Sequence, residues 1–158
     1  MKIQIKHSLK TDTAAAFKLC TEQKNQESVY GRMAVQGPRI KREGRAPNVK
    51  LHITRKVPVN PPAALRKFVS GASEVAHTER WRADGDGYVA DLQIEIRSVP
   101  VKVSGTKALQ PEKGGCRIEW NFDVSSGVPL LGGLIASFAG DEIRRSLEDE
   151  YKVLKASI

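Results

Sequence analysis

Apolar residues recur at spacings of three and four through roughly the last thirty residues of the chain, and nowhere else does that period run so long. Leu131, Leu134, Ile135, Phe138, Ile143, Leu147, Tyr151 and Leu154 fall on one face of a single predicted helix. Its first half is apolar nearly all round and carries Gly132, Gly133 and Gly140. Its second half is amphipathic, with Glu148, Asp149, Glu150, Lys152 and Lys155 assigned outward. A glycine-notched apolar half helix lying on a sheet can cap a cavity.

The rest of the chain mostly alternates with period two. Ile3, Ile5, His7 and Leu9 alternate with polar residues and predict a first strand with one buried face. Asp12 offers an N-cap to a helix bearing Ala15, Ala16, Leu19 and Cys20, and the pattern resumes through Val29, Tyr30 and Met33, which predicts two short helices with a break near Lys24 to Gln26. Gly37-Pro38 and Gly44 with Pro47 are turn signals that bracket a short polar strand, RIKRE. Val49, Leu51, Ile53 and Val57 alternate in the next strand, which Pro58, Pro61 and Pro62 end, and AALRKFV after them reads as a short helix or turn. Val75, His77, Glu79 and Trp81 then share a face before a DGDG hairpin turn. Tyr88, Ala90, Leu92, Ile94 and Ile96 follow, then Val99, Val101 and Val103, and PEKGG leads into Cys116, Ile118, Trp120, Phe122 and Val124. No internal repeat or linker interrupts the pattern, so residues 1–158 read as a single α+β domain: about six to seven antiparallel strands curved around a long C-terminal helix, with two short helices after the first strand.

Composition narrows the function classes. No run of about twenty uncharged apolar residues exists, and the N-terminus alternates where a signal peptide would carry an apolar block, so a soluble cytoplasmic protein is expected. Cys20 and Cys116 sit in no C-x-x-C or Cys/His cluster, so two free thiols are expected, with no metal and no cofactor implied. The net charge of +8 is concentrated between Arg39 and Lys56, where seven basic residues face a single Glu43. Arg39, Lys41, Arg42, Arg45 and Lys50 are either the solvated face of a hairpin or a site for an acidic partner such as RNA, the ribosome or an anionic membrane. The stretch has no aromatic residue between Tyr30 and Phe68, so it offers cations to phosphates without a stacking platform for bases.

The element order, the T-E-R-W strand at Thr78 to Trp81 before a hairpin, and the V-P-L-L-G-G opening of the last helix at Val128 to Gly133 resemble the helix-grip fold of the SRPBCC superfamily. That superfamily includes START lipid-transfer domains, polyketide cyclases and the major birch-pollen allergen, and the two motifs are similar to uncharacterised bacterial members. The resemblance implies a hydrophobic cavity between sheet and helix.

On the concave face the alternation places Ile5, His7, Leu51, Ile53, Trp81, Tyr88, Leu92, Ile94, Val101, Ile118, Trp120 and Phe122, with Leu134, Ile135 and Phe138 closing from the helix. These residues either fill the interior as an ordinary core or line a ligand cavity. The sharper signals are polar residues in apolar register: His7, His77 and Glu79. A carboxyl on a buried face is costly unless paired. Glu79 with His77 is therefore a satisfied core pair or a rim position, a pair that orients a ligand, or an acid and base. His52 alternates out of phase and is expected in solvent. No nucleophile elbow or phosphate loop is present. The function expected is binding of a small hydrophobic or amphipathic ligand. The alternatives are a basic docking module and a cyclase or aromatase-type enzyme using Glu79 and His77.

Overall fold

The computed structural model describes residues 1–69, 71–97 and 99–158. Strand β1 (Lys2–Leu9) is followed by helices α1 (Thr13–Thr21) and α2 (Gln23–Arg32), then by β2 (Gln36–Arg45), β3 (Asn48–Pro58), β4 (Ala72–Asp84), β5 (Gly87–Ile96), β6 (Lys102–Glu112) and β7 (Gly115–Ser125), and finally by α3 (Gly132–Ala156). The strands form one antiparallel sheet in the order β1-β7-β6-β5-β4-β3-β2. Gly85 and Gly114 take the left-handed backbone (φ 57° and 86°) that the tight β4–β5 and β6–β7 turns require.

Asp12 caps α1 by accepting from the Ala15 amide at 2.7 Å, as its position predicts. The break between α1 and α2 falls at Glu22, earlier than the expected Lys24 to Gln26, because Glu22 is extended. The interruption costs α1 little, since Asn25 and Gln26 donate their side-chain amides to the Lys18 and Leu19 carbonyls at 3.0 and 2.8 Å. The AALRKFV segment makes only a single 3₁₀ turn, Ala63–Leu65.

Register fixes what lines the concave face, because residues directly opposite in an antiparallel ladder point the same way. Trp81, Ala90, Lys107, Trp120 and Ile5 form one row across five strands. Glu79, Leu92, Gly105, Phe122 and Ile3 form the next, and His77, Ile94, Val103 and Val124 the third. Helix α3 covers this face with Ile135, Ala139, Ile143, Glu150, Val153 and Leu154. At one end a smaller apolar cluster of Leu65, Val69, Val99 and Ile135 joins the loops to the helix.

The helix glycines do different work. A Cβ on Gly132 would stand 2.5 Å from the Ser126 carbonyl oxygen, whereas one on Gly133 would meet nothing. A Cβ on Gly140 would press on the flexible end of Met1 and on Ile3 of β1, so the close helix-to-sheet approach falls at Gly140, while Gly132 packs against the loop that follows β7. Gly132→Ala is expected to destabilise by about 1–3 kcal/mol through that backbone clash, and Gly133→Ala to stabilise by about 0.5–1 kcal/mol through helix propensity. Denaturant melts of the two variants check the pair of opposite signs.

Candidate functional site

Period-two alternation carries charged side chains into the interior from three strands. Arg55 shares the inward face of β3 with Leu51, Ile53 and Val57, His77 and Glu79 share that of β4 with Trp81, and Lys107 shares that of β6 with Val103 and Leu109. Helix α2 adds Tyr30. Helix α3 adds Glu150, seven residues after Ile143 and four before Leu154, which puts it on the apolar face. All are buried, Glu79 and Lys107 at 1% exposure and Glu150 at 4%.

These groups form one connected network. Glu79 Oε1 accepts from the Trp81 indole at 2.9 Å and lies 3.8 Å from Lys107 Nζ, and its Oε2 meets His77 Nε2 at 2.9 Å. The same Lys107 ammonium reaches Glu150 Oε1 at 3.4 Å and stands 3.3 Å from Oε2, and it lies 5.7 Å from the ring centres of both Trp81 and Trp120. Tyr30 donates to Glu150 Oε1 at 3.3 Å. Arg55 Nη1 contacts His77 Nδ1, and the guanidinium lies over the Tyr30 ring at 5.4 Å.

The charges sort themselves by burial and by neighbours. Burial disfavours an ionised Glu79, but the Lys107 ammonium and the His77 and Trp81 hydrogen bonds overcome it and hold its carboxyl at about 2. Burial and the Arg55 charge lower His77 to about 4. The imidazole is therefore neutral at physiological pH, and the geometry assigns its tautomer: Nε2–H donates to Glu79 while Nδ1 accepts from Arg55. Glu150 shares the ammonium with Glu79, so for it burial prevails over the pull of Lys107 and its carboxyl is raised. Burial alone would lower Lys107, yet its anionic surroundings raise it well above the ordinary lysine value; of these, the two carboxylates matter at neutral pH, since the Cys20 thiol is pushed up to about 12 by burial.

Two atoms in this network make no hydrogen bond: Glu150 Oε2 and Arg55 Nε. An unsatisfied buried donor costs about 1–3 kcal/mol. Arg55 also lines a cavity of about 60 Å³ between the ends of β3 to β5 and α3, walled by Val57, Val75, Ile94, Phe138 and Ile143, with Ser73, Glu142 and Ser146 as its other polar lining.

The sequence-predicted residues distribute unevenly over this interior. His77, Glu79 and Trp81 belong to the polar network, and Ile94 and Phe138 line the cavity. Leu51, Ile53, Leu92, Trp120, Phe122 and Ile135 are packed core. Tyr88 stacks on Phe17 at 3.9 Å beneath α1. His7 is tied to α3, bonded to Glu148 at 2.8 Å and stacked on Tyr151 at 3.8 Å. Leu134 does not close the cavity: it is 42% exposed, because the face shared by Ile135 and Phe138 turns it outward. His52 is exposed, as its phase predicts, against Thr78 Oγ1 at 3.3 Å.

Four members of the network lay outside the expected set: Tyr30, read only as part of the apolar pattern of α2, and the three charged residues Glu150, Arg55 and Lys107. Glu150, expected outward with Glu148 and Asp149, is turned in by its spacing from Ile143 and Leu154. Arg55, counted in the basic stretch, is buried at 8% exposure. Lys107 continues the alternation of Val101 and Val103 past Gly105, two residues before Leu109. The signal for these three was position in an apolar register. With Arg55 inside and Arg42 bonded to the Thr21 carbonyl at 2.9 Å, the outward cations of the stretch are Arg39, Lys41, Arg45, Lys50 and Lys56. A groove of about 820 Å³ at this end of the sheet, which Arg55 also lines, has mixed charge, with Arg39, Arg55, Lys56 and Arg97 against Glu74 and Glu95.

The network predicts a sign for pH dependence. His77 has a folded value of about 4 against an ordinary 6.5, so the unfolded chain takes up that proton first and stability falls as pH drops from 6.5 towards 4. Glu79 contributes stability that is complete above 4.5 and lost as pH falls towards 2. The raised Glu150 works the other way, gaining its proton in the folded state above 4.5. Denaturant unfolding between neutral pH and about pH 4.5 should therefore show a steeper loss for the wild type than for His77→Gln, by up to about 1.4 kcal/mol per pH unit. Equal slopes would mean that His77 takes up its proton as readily in the folded protein as in the unfolded chain.

No curated protein matches the chain. Among solved structures, TTHA0849 from Thermus thermophilus is similar with a TM-score of 0.70 and 13% identity, covering 99% of this chain and 95% of that one. The Zhui aromatase/cyclase from a Streptomyces species gives a TM-score of 0.68 at 8% identity, over 99% and 92% of the two chains. Ara h 8.0201 gives 0.62 at 17% identity, over 99% and 96%. At such identities the likeness shows the fold alone, the helix-grip arrangement of SRPBCC-like proteins. The family described as "Protein of unknown function (DUF2505)" matches residues 4–158, and the chain belongs to that family.

Proposed function

We propose that the protein binds a small amphipathic molecule between the concave face of the sheet and α3, with its apolar part against Val57, Val75, Ile94, Phe138 and Ile143. One observation carries this reading: an apolar cavity under the helix runs up to a buried ionised network. Ligand sites combine apolar walls with a few polar groups in this way, whereas buried ion pairs in general add little to stability over well-packed apolar side chains.

The cavity of about 60 Å³ is well below the roughly 300–1,000 Å³ typical of ligand sites, so a guest enters by widening it. The start of α3 suits that movement. Its N-terminus has no side-chain cap, and the residue leading into it, Leu130, is fully exposed and holds a left-handed backbone at φ 66° that a leucine adopts only under strain. Outward displacement of the first turns of α3 would move Phe138 and join the cavity to the apolar cluster around Leu65 and Ile135.

A second reading, acid–base chemistry of cyclase type, is favoured by one observation: Glu150, with its carboxyl raised, accepts from Tyr30 beside the charged Glu79. Turnover of a bound ligand would separate it from the first.

Ala139 lines the cavity at 2% exposure, so Ala139→Phe should fill it. Titration with medium-chain amphiphiles, followed by tryptophan emission and native mass spectrometry, is expected to show saturable one-to-one binding that Ala139→Phe weakens at least tenfold, about 1.4 kcal/mol, with circular dichroism unchanged. Absence of saturable binding by the wild type across the series contradicts the proposal.

A further inference from the structure

Arg55 is the polar residue that both the ionised network and the apolar cavity share. Its guanidinium is permanently charged, and among the described residues it makes no ion pair. Its charge rests on a neutral imidazole through Nη1 and on the Tyr30 ring, while Nε has no partner although the residue is more than nine-tenths buried. The interior thus holds two cations, Arg55 and Lys107, against one carboxylate held by His77, Trp81 and Lys107, Glu79, and a second, Glu150, that shares its ammonium with the first. Glu142, the one carboxylate that lines the cavity among the described residues, is taken by Arg145 at 2.8 Å, and Arg145 is 72% exposed, so that pair sits at the rim.

We infer that Arg55 is the head-group site of the cavity: it takes the anionic oxygen group, carboxylate or phosphate monoester, of a ligand whose apolar chain lies along Val75, Ile94 and Phe138. The inference rests on the amphipathic-ligand reading above and names the ligand's charge. An anion there supplies the missing acceptor for Nε through a charge-assisted hydrogen bond and balances a guanidinium that forms no ion pair among the described residues. Desolvation by the apolar walls strengthens the attraction, and the fixed fork of the guanidinium fits either oxygen group better than a neutral hydroxyl. The hydrogen bond from Arg55 to His77 continues to Glu79, so the guanidinium is held in place for the head group by the same residues that order the network.

The test compares three probes of one chain length, decanoate, decyl phosphate and decanol, on the wild type and on Arg55→Leu. At least one of the two anions is expected to bind the wild type ten or more times tighter than decanol, and the stronger one identifies the head group. Arg55→Leu should remove that preference and leave decanol affinity within about twofold. In ¹⁵N-labelled wild type the Arg55 Nε–H resonance should move with the anion and stay put with decanol, which decides the matter without a variant should Arg55→Leu fail to fold. Equal binding of anions and decanol with an unmoved Nε–H overturns the head-group assignment and leaves the amphipathic cavity standing. Failure of all three probes to bind overturns both.

Discussion

A lysine ammonium at 1% exposure between two tryptophan faces keeps its charge only where carboxylates come to meet it, and that requirement governs the interior of this protein. Lys107 sits in the row of Trp81, Ala90, Trp120 and Ile5, and its charge is met by Glu79 from the sheet and Glu150 from the helix. Because one ammonium serves two acids, the acids differ: Glu79, with further hydrogen bonds from His77 and Trp81, is held down, and Glu150 is raised. The ion contacts also tie α3 to the sheet near its C-terminal half, where Tyr30 and the stack of His7 on Tyr151 hold it as well. Among the described residues the N-terminal half makes no ion pair with the sheet; Ile135, Ala136 and Ala139 are buried there and the Gly132 amide donates to the Val128 carbonyl at 2.8 Å.

Buried ion pairs are weak contributors to stability, since desolvation consumes most of the Coulombic gain. The connected set of Arg55, His77, Glu79, Lys107 and Glu150 is therefore not accounted for by stability alone, which supports the ligand-binding proposal. Arg55, at the end of the network, also lines the apolar cavity under α3, and the proposed function rests on that juxtaposition. The family to which the chain belongs carries no assigned activity in its description, and the Zhui aromatase/cyclase shares the architecture at 8% identity, too low for activity to follow from fold.

Most of the fold was legible in the sequence because its signals are local and periodic. The alternation from Val75 to Trp81, the DGDG turn and the three-and-four spacing of α3 each specify an element without reference to the others. His77 and Glu79 were legible for the same reason, as polar side chains in an apolar phase. Arg55, Lys107 and Glu150 obey the identical rule, yet each was masked by its neighbours: Arg55 by a run of surface cations, Lys107 by the glycine at 105 that breaks the apolar sequence of β6, and Glu150 by two adjacent outward acids. Their pairing joins β3, β4, β6 and α3, and no local window contains it. The size of the cavity was not legible, since it depends on how Phe138 and Ile143 pack against strands more than forty residues away in sequence.

The claim on which the rest depends is that Lys107 is charged and shared between two carboxylates in the folded protein. The side-chain ¹H–¹⁵N correlation of Lys107 near neutral pH tests it most directly, with a conservative Lys107→Arg variant to assign the signal. A slowly exchanging –NH₃⁺ resonance that shifts when Glu79→Gln or Glu150→Gln is introduced is the result predicted. A neutral amine signal, or an ammonium in fast exchange with water and indifferent to both substitutions, would contradict the account.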